Sequence, residues 1–416
     1  MNRRNLSDSG RGVQRLVRYA ISGCVAFILV CFSTLNLAAD EPLTQREYPL
    51  ALGDKLDSRN VVRTSIALNK LGYDIFNKGA SDFLPPRMVP WLEPAWSFFW
   101  TFNFTMWPHD YGHWVRANQV GGNFVIEKYG FPFPLARMDV PSDATSLEKT
   151  MMSAGGFEIN SMMRIHTEQR FFQTGYRDAE DMVHSFIQTM MFPMYTILIA
   201  PTDPGKVDTW LDTYGDPVDI VKQVFENYSG RSAIRGDNRV DPQLVKLYRE
   251  YFWVNIATTL LDPMVYKSAT AFAMDMRQHP RGRAPWLYQT DTLLWSYTSR
   301  FNPGALGYEV YLTQHIRAMN HYFSFYARYG RPFKNRGVGV HLPELWRAGK
   351  FSLDTTVDIW DQDLFGRGAM LMISPHYRLS SRIQLSMDVH WKDKGYVMGH
   401  RLARGTGVML ASTFYW

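Results

Sequence analysis

The stretch FSLDTTVDI, residues 351–359, alternates apolar and polar side chains at every second position. A second stretch, IQLSMDVHW at residues 383–391, repeats this pattern, and turn-forming residues separate the two. A period of two over this length predicts β-strands with their apolar side chains on one face. The sequence therefore predicts a domain of antiparallel β-hairpins over residues 335–416.

The preceding residues, 40–334, carry longer apolar patterns that favour helices. We predict helices at Ser146–Gln173 and, with many aromatic side chains, at Leu306–Tyr329. The segment Pro201–Pro217 is rich in proline, aspartate and glycine, which predicts loops and turns. The expected fold class is α+β, with a mostly α-helical body at 40–334 followed by an antiparallel C-terminal β-sheet or partial barrel.

The C-terminal segment resembles the end of outer-membrane β-barrel proteins, which commonly finish on an aromatic residue. Here the last strand contains Phe414 and Trp416. About five or six strands cannot close a barrel of eight alone. Two arrangements therefore remain open: a sheet docked on the helical body, and a membrane-associated or oligomeric barrel.

The N-terminus has the pattern of a secretory signal peptide at residues 1–39. Five arginines and one aspartate accompany an uncharged run, Tyr19–Ala39, that ends in small residues. An uncleaved membrane anchor is the alternative. Without this segment the net charge falls from +6 to +2, which gives no indication of a nucleic-acid partner. Both cysteines also lie within it, so we expect an exported protein in the periplasm or outer membrane of a Gram-negative bacterium.

The motif His109-Asp110-Tyr111-Gly112-His113 carries the clearest chemical signal. Residues four apart on a helix share one face, so both imidazoles can bind one metal ion. A carboxylate directly after the first histidine is the arrangement of H-E-x-x-H metallohydrolases. We predict His109 and His113 as metal ligands and Asp110 as the catalytic residue. Two ordinary helix histidines are the alternative.

Gly112 matches the H-E-x-G-H variant of this motif, so residues 109–122 resemble the membrane-associated zinc peptidases of the site-two protease type. The motif also resembles that of the glutamate-type zincins, in which a downstream glutamate is the third ligand. These resemblances imply zinc as the cofactor and peptide hydrolysis as the reaction. Because aspartate is one methylene shorter than glutamate, Asp110 has a second interpretation, in which it orients a histidine for metal binding.

A catalytic zinc ion needs three protein ligands and an open position. Glu158 is our first choice for the third ligand, because its helix follows the motif helix and the glycine pair at 155–156 permits close helix contact. Asp262 is the second choice, because its surroundings resemble the Leu-Asp-Gly element of site-two proteases, whose aspartate is a ligand. His166 is an alternative ligand or a proton donor.

The sequence thus predicts an exported envelope zinc-dependent hydrolase, in particular a membrane-proximal metallopeptidase. Its partners would be a membrane and a peptide or amphiphilic substrate. The alternative is a non-catalytic outer-membrane assembly or transport component whose helix retains a metal-site-like motif.

Overall fold

A computed structural model describes residues 47–53, 58–85, 87–128, 135–198, 206, 216–234, 236, 239–274, 281–319 and 321–415. The predicted signal peptide at 1–39 and both cysteines lie outside these residues. The described part of the chain has the expected α+β class, in which a helical body is followed by an antiparallel sheet.

The helices make up most of the chain before residue 275. In order they are α1 (Ser58–Phe83), α2 (Val89–Gln119), α3 (Ser146–Thr174), α4 (Ala179–Leu198), α5 (Asp216–Ser229), α6 (Pro242–Leu260) and α7 (Pro263–Met274). Among the residues described, no helix combines the length and apolar character that crossing a membrane requires.

The strands are short before residue 290 and long after it. They are β1 (Glu47–Gly53), β2 (Asn123–Lys128), β3 (Leu135–Asp139), β4 (Tyr176–Asp178), β5 (Arg281–Arg283), β6 (Tyr288–Gln289), β7 (Leu293–Gly304), β8 (Gly307–Ala318), β9 (His321–Pro332), β10 (Asn335–Ala348), β11 (Phe351–Gln362), β12 (Gly366–Ser380), β13 (Ile383–Lys392) and β14 (Gly405–Tyr415). Ten of them form one antiparallel sheet, in which β6 to β14 follow chain order and β1 pairs with β14.

The helix predicted at Leu306–Tyr329 is wrong, because this segment forms most of the hairpin β8–β9. Aromatic side chains suit strands as well as buried helices, and burial in β9 follows a strand period: Tyr322 and Ser324 are buried whereas Phe325 is exposed. The main sheet therefore starts at Tyr288, well before residue 335, and it also takes in β1 from the N-terminal side.

Helix α3 lies at the centre of the molecule. Thr145 and Glu148 form a capping box at its start, and Gly175, with a positive φ of 76°, ends it. Most of its side chains from Thr150 to Phe172 are buried. It contacts α2 and α5 on one side and β7, β8 and β9 on the other. Side chains on α3 can therefore reach both the helical body and the sheet.

The backbones of α2 and α3 touch at two glycines. A Cβ atom added to Gly112 would lie 2.2 Å from the carbonyl oxygen of Gly155, and one added to Gly155 would lie 2.5 Å from the carbonyl oxygen of Gly112. Any larger side chain would push the helices apart. This contact fixes the spacing between the predicted metal ligands on α2 and the groups on α3 that face them.

The main sheet buries its polar face and exposes its apolar face. The cross-strand pairs Met387–Leu410 and Val389–Val408 are exposed, whereas Asp388, between them on β13, is completely buried. Sheets with one solvated face usually show the opposite pattern. The apolar side chains of this outer face are Leu312, Phe325, Val338, Leu371, Ile373, Leu385, Met387, Val389, Trp391, Val408, Leu410 and Phe414.

Hydrogen bonds and ion pairs join the polar inner face to the helices. Ser161 on α3 donates to the Oδ1 atom of Asn302 over 2.9 Å, and Arg63 on α1 pairs with Asp388 at 2.8 Å. Because these buried groups are paired across the interface, the helices and the sheet form one compact unit over Pro42–Trp416.

Candidate metal centre

The two histidines of the motif lie one turn apart on α2 and face α3. Their ring centroids are 4.9 Å apart, and His109 and His113 are 2% and 4% exposed. The local spacing predicted from the sequence is therefore present. Because both rings are buried, they require hydrogen-bond partners inside the protein.

Each ring has an acceptor for its Nδ1 atom on α3. The Nδ1 atom of His109 lies 2.7 Å from the side-chain Oδ1 atom of Asn160, and that of His113 lies 2.7 Å from the carbonyl oxygen of Met152. The amide of Asn160 is held in turn by its donation to the carbonyl oxygen of Thr105 at 3.3 Å. Since an oxygen at this position accepts the Nδ1 hydrogen, the lone pair of each neutral ring is on Nε2, the tautomer that binds a metal.

Both Nε2 atoms point at one carboxylate. The Oδ2 atom of Asp216 lies 3.1 Å from the Nε2 atom of His109 and 3.1 Å from that of His113. Asp216 is the first residue of α5, and its side chain is 17% exposed. Two imidazole nitrogens and a carboxylate oxygen thus lie within 4.8 Å of one another, and this group could hold a metal ion.

The charges of His113 and Asp216 each stabilise the charged form of the other residue. Burial alone would lower the pKa of His113, but the charge of Asp216 and its hydrogen bond raise it to about 9. Burial alone would raise the pKa of Asp216, but the charge of His113 and hydrogen bonds from both histidines lower it well below its usual range. The carboxylate is therefore ionised at neutral pH, as a metal ligand must be.

Asp110 lies beside this group with one oxygen unused. Its Oδ2 atom is buried and has no hydrogen-bond partner among the residues that the structure describes. Burial and the charge of Asp216 raise the pKa of Asp110, while His109 and His113 act in the opposite direction. Buried carboxylate oxygens are normally paired, so an unpaired one next to a candidate metal position indicates a group available for chemistry.

A small residue and two aromatic rings shape the pocket around His109. A Cβ atom on Gly156 would lie 2.5 Å from the Nε2 atom of His109, so this glycine leaves the space that the ring occupies. Phe157 and Tyr195 pack against the ring at centroid distances of 4.9 Å and 6.1 Å. Burial, with the charge of Asp216, raises the pKa of the Tyr195 hydroxyl, which therefore stays protonated.

Glu158, predicted as the third ligand, lies outside this group. It pairs with Arg116, accepts a hydrogen bond from the Tyr396 hydroxyl at 2.6 Å, and accepts another from the backbone N–H of Gly399 at 3.2 Å. It lies one turn after Gly155, on the stripe of α3 that faces Arg116. Gly156 and Asn160 face His109 from a different stripe of α3, because successive residues of a helix are rotated by about 100°. Glu158 holds α2 and α3 to the segment after β13.

The other two candidate ligands also have different partners. Asp262 pairs with Arg164 and accepts a hydrogen bond from the backbone N–H of Met264 at 2.9 Å, which caps α7. His166 lines a separate cavity between α3 and the sheet, where burial and the charge of Arg63 lower its pKa to about 4. Both residues therefore serve the interior of the fold, away from His109 and His113.

Asp216 was missed by the sequence analysis. It lies 103 residues after His113, at the end of the segment predicted to be loop, so no local spacing connects the two. One signal was present: an aspartate directly before a proline, at the start of an amphipathic helix whose Val218, Val221 and Val224 are buried. That signal predicts where a helix begins but gives no information on what the helix faces.

Comparison with known proteins adds no family to this geometry. No protein-family model matches the chain, and neither does any curated protein or any solved structure.

Proposed function

We propose that the protein is a zinc-dependent hydrolase with His109, His113 and Asp216 as its metal ligands. One observation carries the proposal: two Nε2 atoms converge on one carboxylate oxygen at 3.1 Å while both Nδ1 atoms are held by acceptors on α3. Three protein donors leave one tetrahedral position open, which is the arrangement of catalytic zinc sites. Two histidines and one carboxylate also suit ferrous iron, so metal analysis is part of the test.

The remaining residues of the site have separable roles. A bound zinc ion would lower the pKa of a coordinated water to about 7 and polarise a substrate carbonyl. Asp110 accepts a proton on its unpaired Oδ2 atom and returns it to the leaving group, which makes it the general base and acid. Asn160 and the carbonyl of Met152 hold the two rings in place.

We propose a peptide as the substrate. The motif with Gly112 resembles that of site-two proteases, and an aspartate as the third ligand is the donor that this resemblance implies. The close contact of Gly112 with Gly155 gives a physical reason for the glycine, because any side chain there would meet α3. An amphiphilic substrate with a hydrolysable carbonyl fits the same donor set, and a substrate panel distinguishes the two.

We further propose that the protein acts at a membrane of the bacterial envelope. The outer face of the sheet supports this location, because a continuous apolar surface with charged side chains buried behind it suits contact with lipid. The strands from β7 to β14 are 10–15 residues long, so each reaches the roughly 9–11 residues that crossing a bilayer core needs.

The test is metal analysis and hydrolysis by the purified chain and one double variant. We expect about one zinc per chain and a peptidase activity that a chelator removes and added zinc restores. His109→Ala/His113→Ala should lose both the metal and the activity, whereas His321→Ala, a histidine on β9 away from the site, should keep both. Absence of bound metal from the unaltered protein after supply of zinc would contradict the proposal.

A second candidate is a non-catalytic outer-membrane assembly or transport component. The outer face of the sheet favours it as much as it favours a membrane enzyme, because lipid contact does not depend on hydrolysis. The same double variant separates the two functions. The non-catalytic role would be selected by two results together. Cells that carry only His109→Ala/His113→Ala would keep full envelope integrity, and the unaltered chain would show no chelator-sensitive hydrolysis in vitro.

A further inference from the structure

A cavity of about 310 Å³ lies between α1, α3 and the inner face of the sheet. Its volume is within the range of small-molecule sites. His166 and Gln169 of α3 form one wall, and β7 to β13 form the opposite wall. The cavity lies apart from Asp216 and the two histidines of the metal centre, none of which lines it.

Most charges that line this cavity have a partner of opposite sign. Arg63 pairs with Asp388 at 2.8 Å, and Arg328 pairs with Asp358 at 3.2 Å. Arg170 pairs with Glu47 at 3.4 Å. These pairs account for buried arginines that would otherwise be costly to remove from water.

Arg300 is the exception. It is 5% exposed, and its guanidinium lies 4.5 Å from the ring centroid of Tyr311, which also lines the cavity. Within the described residues no carboxylate lies at ion-pair distance from it, and its Nε atom is buried without a hydrogen-bond partner. Burial lowers the pKa of Arg300 to about 10, which still leaves it charged at neutral pH.

The nearby carboxylates are already engaged. Glu168 accepts a hydrogen bond from the Nε atom of Arg164 at 2.6 Å, and Asp262 pairs with the same arginine. A buried guanidinium presents a fork of N–H donors that matches a carboxylate or a phosphate. An anion inside the cavity would therefore supply the charge that the protein does not.

We propose that this cavity binds a small organic anion whose carboxylate or phosphate group pairs with Arg300. Apolar side chains also line the cavity, which suits a ligand with a short hydrocarbon part. These side chains are Val62, Met162, Ile165, Met370, Met372 and Met398. The ligand is thus an organic anion with an apolar body, and its site is separate from the metal centre.

Calorimetric titration of the full chain with hexanoate and with inorganic phosphate tests the proposal. We expect saturable binding of one probe at millimolar concentration or below. Hexanoate binding identifies a carboxylate ligand with an apolar body, and phosphate binding identifies a phosphate ligand.

Arg300→Met should weaken the binding by about 30-fold or more, since the charge that pairs with the anion is lost. Arg336→Met, an exposed arginine on β10, is the matched control and should bind as the unaltered chain does. Saturable binding of neither probe would overturn the proposal.

A stability measurement separates a binding role from a structural one. An unpaired buried cation is unfavourable, so Arg300→Met without ligand should unfold at the same denaturant midpoint as the unaltered chain, or at a higher one. If Arg300→Met folds poorly, Ser374→Phe decides, because it fills the cavity from β12 and removes no charge. Loss of probe binding in Ser374→Phe supports the site, and retention of binding in either variant overturns it.

Discussion

The carboxylates of Asp216 and Glu158 both lie against the α2–α3 pair, but their surroundings differ. Glu158 is 1% exposed, and its oxygens are bonded to Arg116, the Tyr396 hydroxyl and the backbone of Gly399. Asp216 is partly exposed, and its Oδ2 atom lies between two imidazole nitrogens that belong to the same helix. The carboxylate of Glu158 is thus fully hydrogen-bonded within the protein. The carboxylate of Asp216 lies with the two histidines in a group that could hold a metal ion.

The difference shows how a structural cluster and a ligand-binding cluster can be distinguished within one pair of helices. A fully bonded buried network holds elements together, and removing one member leaves an unpaired charge. A convergent set of donors with a neighbouring unpaired oxygen, as at Asp110, could instead hold a metal ion. The distinction can be tested by variants on each side.

The largest expected effect is that of Asp110→Asn on hydrolysis. The amide cannot take up a proton, so the turnover number should fall by about 10²–10⁴-fold while the zinc content stays at that of the unaltered protein. Asp143→Asn, an exposed aspartate before α3, is the control and should keep full activity. If Asp110→Asn loses the metal instead, Asp110 is a ligand or orients one, and its role as general base is wrong.

A smaller effect, on stability, is expected from Glu158→Gln. Removing the charge leaves Arg116 buried without its anion, which should lower the free energy of unfolding by about 3–5 kcal/mol in denaturant titrations. Its zinc content should be unchanged in the folded fraction. Asp216→Asn is the matched variant and should show the reverse, with zinc lost and a smaller change in unfolding. If Glu158→Gln and Asp216→Asn showed the same zinc content and the same change in the free energy of unfolding, the proposed distinction between the two carboxylates would be wrong.

The smallest effect should follow from Asn160→Ala. The ring of His109 loses the acceptor that fixes its tautomer but keeps its place beside Phe157, so zinc affinity should fall by about 10–100-fold in competition titrations with a chelator. Thr167→Ala, also a buried polar residue of α3, serves as the control. Unchanged affinity in Asn160→Ala would mean that the helix pair alone orients the ring.

The parts of the fold and site that the sequence predicted correctly depend on local spacing. The period of two placed strands over residues 351–359 and 383–391, and four-residue spacing placed His109 and His113 on one helix face. The glycine pair at 155–156 also correctly indicated a close helix contact. Each of these signals is carried by residues within a few positions of one another.

The missed parts depend on contacts between distant segments. Asp216 reaches the histidines because α5 packs on α3, and no pattern within α5 encodes that contact. Glu158 lies on the expected pair of helices but on a different stripe of α3, where its partner is Arg116. Asn160, two residues later on α3, faces His109. The apolar and aromatic residues of β8 and β9 predict a helix as readily as strands, because bulky apolar residues occur in both.

The outer face of the sheet has a consequence for work with the purified chain. Two molecules in detergent-free buffer can cover these apolar side chains by pressing their sheets together, since patches of this kind drive self-association in water. The mass and shape measured without detergent would then be those of an aggregate. We therefore expect the purified chain to be monodisperse only when detergent micelles or nanodiscs cover this face.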